Sequence, residues 1–162
     1  MLTRRKVLVS ALALPPFTLV RADDEKYKGP VPPKKDIPYL LHADNLVETE
    51  VVTASQTSKK DDQIFSVSGE TSSARTPLAE PIFLMAPDRL VPSSLGLYRF
   101  EISGGHRQIA IKKRGKGVKS YHTSVRDLAP GLVRVEAAEY LENGEYCLSP
   151  EGENTAFCFT VY

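Results

Sequence analysis

From residue 37 onward, apolar and polar positions alternate along short stretches, and no apolar stripe at helical spacing persists. A period of two is the pattern of half-buried β-strands. Turn-forming Gly, Pro, Asn and Asp residues separate the stretches. The pattern predicts about nine short strands, at 46–54, 64–68, 82–85, 97–103, 108–113, 120–125, 132–137, 145–149 and 156–162. Any helix is expected to be a turn or two long, near 136–141.

Many short strands in a single domain predict an all-β fold, either a sandwich or a barrel. One hairpin can be aligned from its side chains, with Gly104-Gly105 as a two-residue turn. This register places Ile102 opposite Arg107 and Phe100 opposite Ile109 on one face. Because a slip of one residue would move every apolar side chain to the other face, burial is expected to fix the register.

The first 22 residues have a different pattern, in which positive charge precedes a continuous apolar run. Thr3-Arg4-Arg5-Lys6 is followed by apolar residues 7–20, and Val20-Arg21-Ala22 supplies a small residue at a cleavage position. We expect residues 1–22 to be a signal peptide. The run is about 14 residues long, whereas a hydrocarbon core requires about 20, so no permanent membrane span is expected.

The arginine pair after Thr3 resembles the twin-arginine signal of exported bacterial proteins. The resemblance is limited to the signal and implies that the protein is transported in a folded state. An ordinary secretory signal, with two arginines adjacent by chance, is the alternative. By either route we expect the protein to be periplasmic or secreted.

Residues 23–38 are charged and rich in proline, with almost no apolar side chain to bury, and predict an extended linker. The remaining residues, 39–162, have the length of one domain. The chain carries 21 Lys and Arg against 20 Asp and Glu, so no overall field attracts nucleic acid. We therefore expect no nucleic-acid partner.

Both cysteines of the chain lie in the last expected hairpin. With Gly152-Glu153 as the turn, Tyr146 lies opposite Phe159 and Cys147 lies opposite Cys158. Opposed residues have Cα separations that permit a disulfide, and an oxidising compartment preserves it. The register therefore predicts a Cys147–Cys158 bridge, at a hydrogen-bonded pair if counted from this turn. Two free, half-buried thiols are the alternative, and a catalytic thiol is disfavoured because no Cys-x-x-Cys motif is present.

The segment Leu141-Glu142-Asn143-Gly144-Glu145-Tyr146-Cys147-Leu148 resembles the Leu-x-Pro-Gly-x-Tyr-x-Leu corner of fibronectin type III and immunoglobulin-like domains, with Asn143 in place of the proline. In those families the tyrosine hydroxyl bonds to the backbone a few residues upstream, so the resemblance implies a structural role for Tyr146. The chain ending is also similar to that of many small exported bacterial proteins. Together with the strand pattern, the resemblance implies an immunoglobulin-like antiparallel β-sandwich.

Three histidines raise the question of a metal site. His42 and Asp44 have the spacing that puts two ligands on one side of a strand, and His122 would supply a third, since Zn²⁺ binds imidazole nitrogen and carboxylate oxygen. A surface histidine beside a turn aspartate is the alternative. A blue-copper site is disfavoured because no histidine follows Cys147 and the last methionine is Met85. No cofactor is expected.

Positive charge is concentrated in one glycine-containing segment. Its cations are Lys112, Lys113, Arg114, Lys116 and Lys119. Such a loop predicts an anionic partner, which in the cell envelope is a phospholipid headgroup, a lipopolysaccharide phosphate or an acidic polysaccharide. The alternative is a solvated hairpin tip whose charges prevent edge-to-edge strand pairing.

The sequence shows no motif that selects a catalytic mechanism. None of the serines lies in Gly-x-Ser-x-Gly or Ser-x-x-Lys, and nothing selects a pair among Glu48, Glu50, Glu70 and Glu80. We therefore expect an exported, non-catalytic binding or accessory module of the cell envelope, with an envelope protein or an anionic envelope polymer as partner. An extracytoplasmic enzyme or metal-binding protein that uses loops at one end of the sandwich is the alternative.

Overall fold

The computed structural model describes residues 26–59, 62–112 and 118–162. The expected signal peptide, at 1–22, lies outside the described residues. The described part of the chain forms thirteen β-strands and a 3-10 helix, Pro92–Ser94. The strands are β1 (Tyr39–His42), β2 (Asn45–Glu48), β3 (Glu50–Thr53), β4 (Ser55–Lys59), β5 (Asp62–Ser68), β6 (Arg75–Thr76), β7 (Ile82–Met85), β8 (Leu95–Ser103), β9 (His106–Lys112), β10 (Thr123–Ala129), β11 (Leu132–Ala137), β12 (Gly144–Pro150) and β13 (Thr155–Val161). The predicted all-β class is confirmed.

The strands form two sheets that pack as a sandwich. The first sheet has five strands in the order β10-β11-β7-β1-β2, and the second has eight, in the order β3-β13-β12-β8-β9-β5-β4 with β6 beside β13. Pairing between these strands is antiparallel, except that β6 lies parallel to β13. The predicted antiparallel sandwich is therefore confirmed, with thirteen strands instead of about nine.

The main core lies between the two sheets. Leu40 and Phe83 from the first sheet pack with Tyr146 and Phe159 from the second, and all four side chains are buried. The rings interlock: Phe83 and Phe159 meet edge to face at 5.1 Å, and Tyr146 stacks on Phe159 at 5.7 Å. Aromatic pairs in these arrangements add to the stabilisation that burial alone provides.

The opposite face of β3, β13, β12 and β8 carries Cys147 and Cys158, and we call it the disulfide face. Side chains alternate along a strand, so Tyr146 reaches the main core while Cys147 points away from it. The disulfide face is also covered, because β5 and β9 of the same sheet contribute Val67 and Ile109 to a second apolar cluster on it. The C-terminal hairpin is therefore buried on both sides.

The two hairpins follow the predicted registers over different lengths. In the C-terminal hairpin, Tyr146 pairs with Phe159 and Cys147 with Cys158, as expected. In the β8–β9 hairpin, Ile102 pairs with Arg107, but the ladder ends one pair later and Phe100 pairs with β12 instead. The expected Phe100–Ile109 pair is therefore wrong, because β8 pairs with β12 from Leu95 to Phe100 and with β9 only beyond that.

The predicted strand 46–54 is two strands that belong to different sheets. β2 lies in the first sheet and β3 in the second, with Thr49 between them. Its side-chain hydroxyl donates a hydrogen bond to the Pro38 carbonyl at 2.7 Å, and the residue is buried.

The short helix expected near 136–141 is not formed, because β11 continues to Ala137 and the Leu141 amide donates to the Ala79 carbonyl at 2.8 Å.

The last part of the predicted linker is docked on the domain. Asp36 has a positive φ of 60°, and its carboxylate accepts hydrogen bonds from the backbone amides of Asp88, Arg89 and Leu90. Desolvation would raise the pKa of Asp36, but these amides hold it below its usual value. Lys34 also forms an ion pair with Glu48 at 2.8 Å. Contacts of the folded domain thus begin upstream of the expected boundary at residue 39.

Candidate functional site

A cleft of about 420 Å³ lies on the disulfide face, beside the end of the C-terminal hairpin. Its wall combines apolar side chains from β5, β8 and β9 with the loop 151–154. The cleft forms where β8 and β9 separate. Beyond Ile102 and Arg107 the two strands soon cease to pair, so side chains that a continuous ladder would bring together line a gap instead.

Small residues on the disulfide face make room for the cleft. Ala54 and Ala156 lie on its floor, and both are buried. The Ala54 amide donates to the Asn154 carbonyl at 2.8 Å, which ties the chain after β3 to the hairpin loop. An alanine methyl group projects little beyond the backbone, so the side chains of β13 fill less space on this face. On the main-core face, the same strand carries the large side chains of Phe157 and Phe159.

Aromatic side chains form much of the wall. Phe65 comes from β5, and Tyr98 and Phe100 come from β8. Tyr98 lies over Gly96, where an added Cβ atom would be only 2.5 Å from the tyrosine hydroxyl oxygen. Glycine at position 96 therefore allows the Tyr98 ring to lie along the strand and face the cleft.

The loop at the mouth is a turn that differs from the expected one. The Glu153 amide donates to the Pro150 carbonyl at 3.3 Å, and Gly152 has a φ of 79°. Gly152 is thus the second central residue of the turn, where a positive φ favours glycine. The register of the strands is unchanged. Glu151 and Glu153 are exposed at the mouth.

The predicted disulfide between Cys147 and Cys158 is confirmed. Its Cα atoms are 4.0 Å apart, closer to the roughly 4.5 Å of a non-hydrogen-bonded antiparallel pair than to the roughly 5.5 Å of a hydrogen-bonded one. The expectation of a hydrogen-bonded pair is therefore wrong. It depended on a two-residue turn, and the longer loop changes the phase of the ladder without changing the register.

A buried polar group, which we call the Arg107 cluster, occupies the other end of the disulfide face. Its members are Arg107, Glu50, Glu145, Ser72 and Thr160. The Arg107 side chain is 1% exposed and donates two hydrogen bonds to the Glu50 carboxylate, at 2.7 and 2.9 Å. It also donates to the Ser68 and Gly69 carbonyls.

The carboxylates of the Arg107 cluster are engaged in structural contacts. Glu145 accepts hydrogen bonds from the Ser72 amide and the Thr160 hydroxyl, and its nearest oxygen is 3.9 Å from the Arg107 guanidinium. Desolvation would raise the pKa of Glu50, but the hydrogen bonds and positive charge of Arg107 hold it below its usual value. A general acid at neutral pH requires a raised carboxyl pKa, so Glu50 is not suited to that role.

Tyr146 makes a contact of the kind expected for the corner. Its hydroxyl donates to the Glu142 carbonyl at 2.8 Å, and burial raises its pKa to about 12. Arg99 lies beside the same corner and forms an ion pair with Glu142 at 2.9 Å. The relationship to fibronectin type III and immunoglobulin-like domains stays a prediction.

The structure does not assemble the candidate metal ligands His42, Asp44 and His122. Among the described residues, no three His, Cys, Asp or Glu side chains are grouped so as to hold a metal ion. His42 has a buried Nε2 without a hydrogen-bond partner in this part of the chain. The His122 side chain is exposed, with Nε2 3.9 Å from a Glu139 carboxylate oxygen.

Two of the candidate anion-binding residues are described. Lys112 is exposed at the end of β9. Lys119 forms an ion pair with Glu139 at 3.3 Å and lies 5.3 Å from the centre of the Tyr121 ring. The other candidates, Lys113, Arg114 and Lys116, lie outside the described residues.

Sequence reasoning missed both the cleft and the Arg107 cluster. The signal for the cluster was the hairpin register itself, which placed Arg107 on an otherwise apolar face. The cleft had no such signal, because it depends on where β8 changes its pairing partner from β9 to β12.

Comparisons with known proteins give no further assignment. No protein-family profile matches the sequence, and no curated protein or solved structure matches it either. Within the ranges that the structure describes, there is no helix with the length and apolar character needed to cross a membrane.

Proposed function

We propose that this protein is an exported, non-catalytic binding module of the cell envelope, and that the cleft on the disulfide face holds a small apolar ligand. The cleft itself carries this proposal. Small-molecule sites are concave, mostly apolar and about 300–1,000 Å³ in volume, and the cleft, at about 420 Å³, lies within that range.

The lining of the cleft supports binding rather than catalysis. Among the described residues that line the cleft there is no histidine, lysine or arginine. Ser149 is the one serine among these residues, and its hydroxyl donates to the Thr155 carbonyl at 2.8 Å. A nucleophile needs a neighbouring base to become active, and Ser149 faces a carbonyl instead.

The disulfide supports export. Disulfides persist in oxidising compartments and are rare in the reducing cytosol. Cys147 and Cys158 are bonded to each other, and the amino-terminal pattern of residues 1–22 predicts a signal peptide. Both observations favour a periplasmic or secreted protein, and recovery of the processed chain from an osmotic-shock fraction is the expected result.

Binding can be tested with the full exported protein and 1-N-phenylnaphthylamine, an uncharged probe whose fluorescence rises in apolar surroundings. We expect saturable binding to the wild type. Ala54→Leu adds apolar bulk to the cleft floor and should weaken binding severalfold. Ala110→Leu is the matched control, because Ala110 lies on β9 between two cleft residues but is exposed. Equal binding by both variants, or none by the wild type, would contradict the proposal.

A further inference from the structure

Aromatic side chains are arranged differently in the main core and in the cleft. In the main core, Tyr146 stacks on Phe159 and meets Tyr121 edge to face, with ring centres 5.7 Å apart in each pair. Phe83 also contacts Phe159. Each of these rings thus has an aromatic neighbour at the separation that ring quadrupoles favour.

The rings of the cleft have no such neighbour. Phe65, Tyr98 and Phe100 all line the cleft, yet none of them pairs with another aromatic ring in the part of the chain that the structure describes. Gly96 leaves room for Tyr98 to lie along β8. The cleft therefore presents three unpaired rings around one cavity.

We propose that the ligand of the cleft is a small planar aromatic molecule with a neutral polar substituent. This inference rests on the proposed function and names its ligand class. An aromatic ring that enters the cleft supplies the missing partner for the three rings. A saturated ligand of the same size buries similar apolar area but forms no ring pairs.

The mouth carries the Glu151 and Glu153 carboxylates, which disfavour an anionic substituent, together with two neutral amides. Gln56 and Asn154 line the cleft and are exposed. Each amide offers both a donor and an acceptor, so a hydroxyl or amide group on the ligand finds a partner in either orientation. The backbone carbonyl of Asn154 accepts a hydrogen bond from the backbone amide of Ala54. This bond holds Asn154 beside the floor of the cleft and leaves its side-chain amide free of that contact.

The decisive comparison uses 2-naphthol and decahydro-2-naphthol, which have the same carbon skeleton and hydroxyl group but differ in aromaticity. Binding of each to the full exported protein is measured by titration calorimetry. Because the chain has no tryptophan, naphthol fluorescence provides a second readout without tryptophan background. We expect 2-naphthol to bind about three- to tenfold more tightly, which corresponds to about one aromatic pair.

Variants then assign the preference to the cleft. Tyr98→Leu and Phe65→Leu retain apolar side chains but remove a ring, and each should reduce the preference for 2-naphthol. Tyr140→Leu is the matched control, because Tyr140 is 70% exposed and does not line the cleft. If Tyr98→Leu does not fold, the two ligands on the wild type still decide the question.

The outcomes separate the two proposals. Equal or weaker binding of 2-naphthol, with both ligands bound, would overturn the aromatic class and leave the binding function standing. No binding of either compound would overturn both. A concentration-dependent dimer that excludes both compounds would show that a second copy of the chain covers the cleft, and would likewise overturn both proposals.

Discussion

The two faces of the C-terminal hairpin are buried by different means. On the main-core face, large aliphatic and aromatic side chains from two sheets interlock. On the disulfide face, the hairpin carries the Cys147–Cys158 bridge, and around it lie an ion pair from β9 and β3 and a cleft with two alanines on its floor. The comparison teaches that burial on both sides does not require equal packing. Covalent and ionic links hold the face whose side chains leave space.

The largest expected effect comes from opening the main core. Phe159→Ala removes a fully buried ring that contacts both Phe83 and Tyr146. We expect the free energy of unfolding to fall by about 3–5 kcal/mol, as is usual for buried phenylalanine. Urea unfolding with the disulfide intact measures the change. Tyr140→Ala, at a 70% exposed position, should stay within about 0.5 kcal/mol of the wild type, and a Phe159→Ala loss as small as that would contradict the interlocked core.

The Arg107 cluster should be the most sensitive part of the disulfide face. Arg107→Met leaves Glu50 and Glu145 without their shared cation, and we expect a loss of about 3 kcal/mol, near the lower end for broken buried pairs, because the Glu50 side chain is 24% exposed. Thermal and urea unfolding measure it. The double variant Arg107→Met/Glu50→Leu should recover part of the loss, since it removes one uncompensated charge. A double variant less stable than Arg107→Met would argue against this electrostatic origin.

The disulfide should contribute slightly less than the Arg107 cluster. Cys147 and Cys158 are separated by 11 positions in the sequence, and a loop of this length constrains the unfolded chain by about 2–3 kcal/mol. We expect the variant Cys147→Ala/Cys158→Ala to lose that amount in urea unfolding. Dithiothreitol should destabilise the wild type by a similar amount and leave the double variant unchanged. A reductant effect on the double variant would show that the loss has another cause.

Local patterns in the sequence predicted most of the strands. Alternation found β7, β11 and the strands of both hairpins, because each has at least one face in a core. It missed β4, whose residues Ser55–Lys59 are all polar and exposed. Such an edge strand forms by pairing with β5 and leaves no apolar period in the sequence.

The division of strands between sheets was less accessible. The continuous pattern of 46–54 hides a change of sheet at Thr49, which is fixed by a hydrogen bond to a residue before β1. The cleft likewise depends on pairing between distant segments, because Phe100 pairs with β12 and not with β9. Which sheet a strand joins, and which strand it pairs with, depends on contacts between distant segments. Alternation within a strand does not reveal these contacts. The cysteines were an exception, because one hairpin contains both.

The smallest expected effect is a pH dependence that separates the two faces. Two hydrogen bonds from Arg107, together with its positive charge, keep the pKa of Glu50 below its usual value. The lowered pKa contributes stability that is fully present above this value and is lost as pH falls through the lower, folded-state pKa. Glu50→Gln cannot titrate, so its deficit relative to the wild type should be largest near neutral pH and shrink in acid. Phe159→Ala changes no ionisable group, and its deficit should not shrink through Glu50 titration. Urea unfolding at a series of pH values from neutral to acid compares the variants, and a Glu50→Gln deficit that stayed constant across the series would show that the carboxylate is not stabilised by its ion pair.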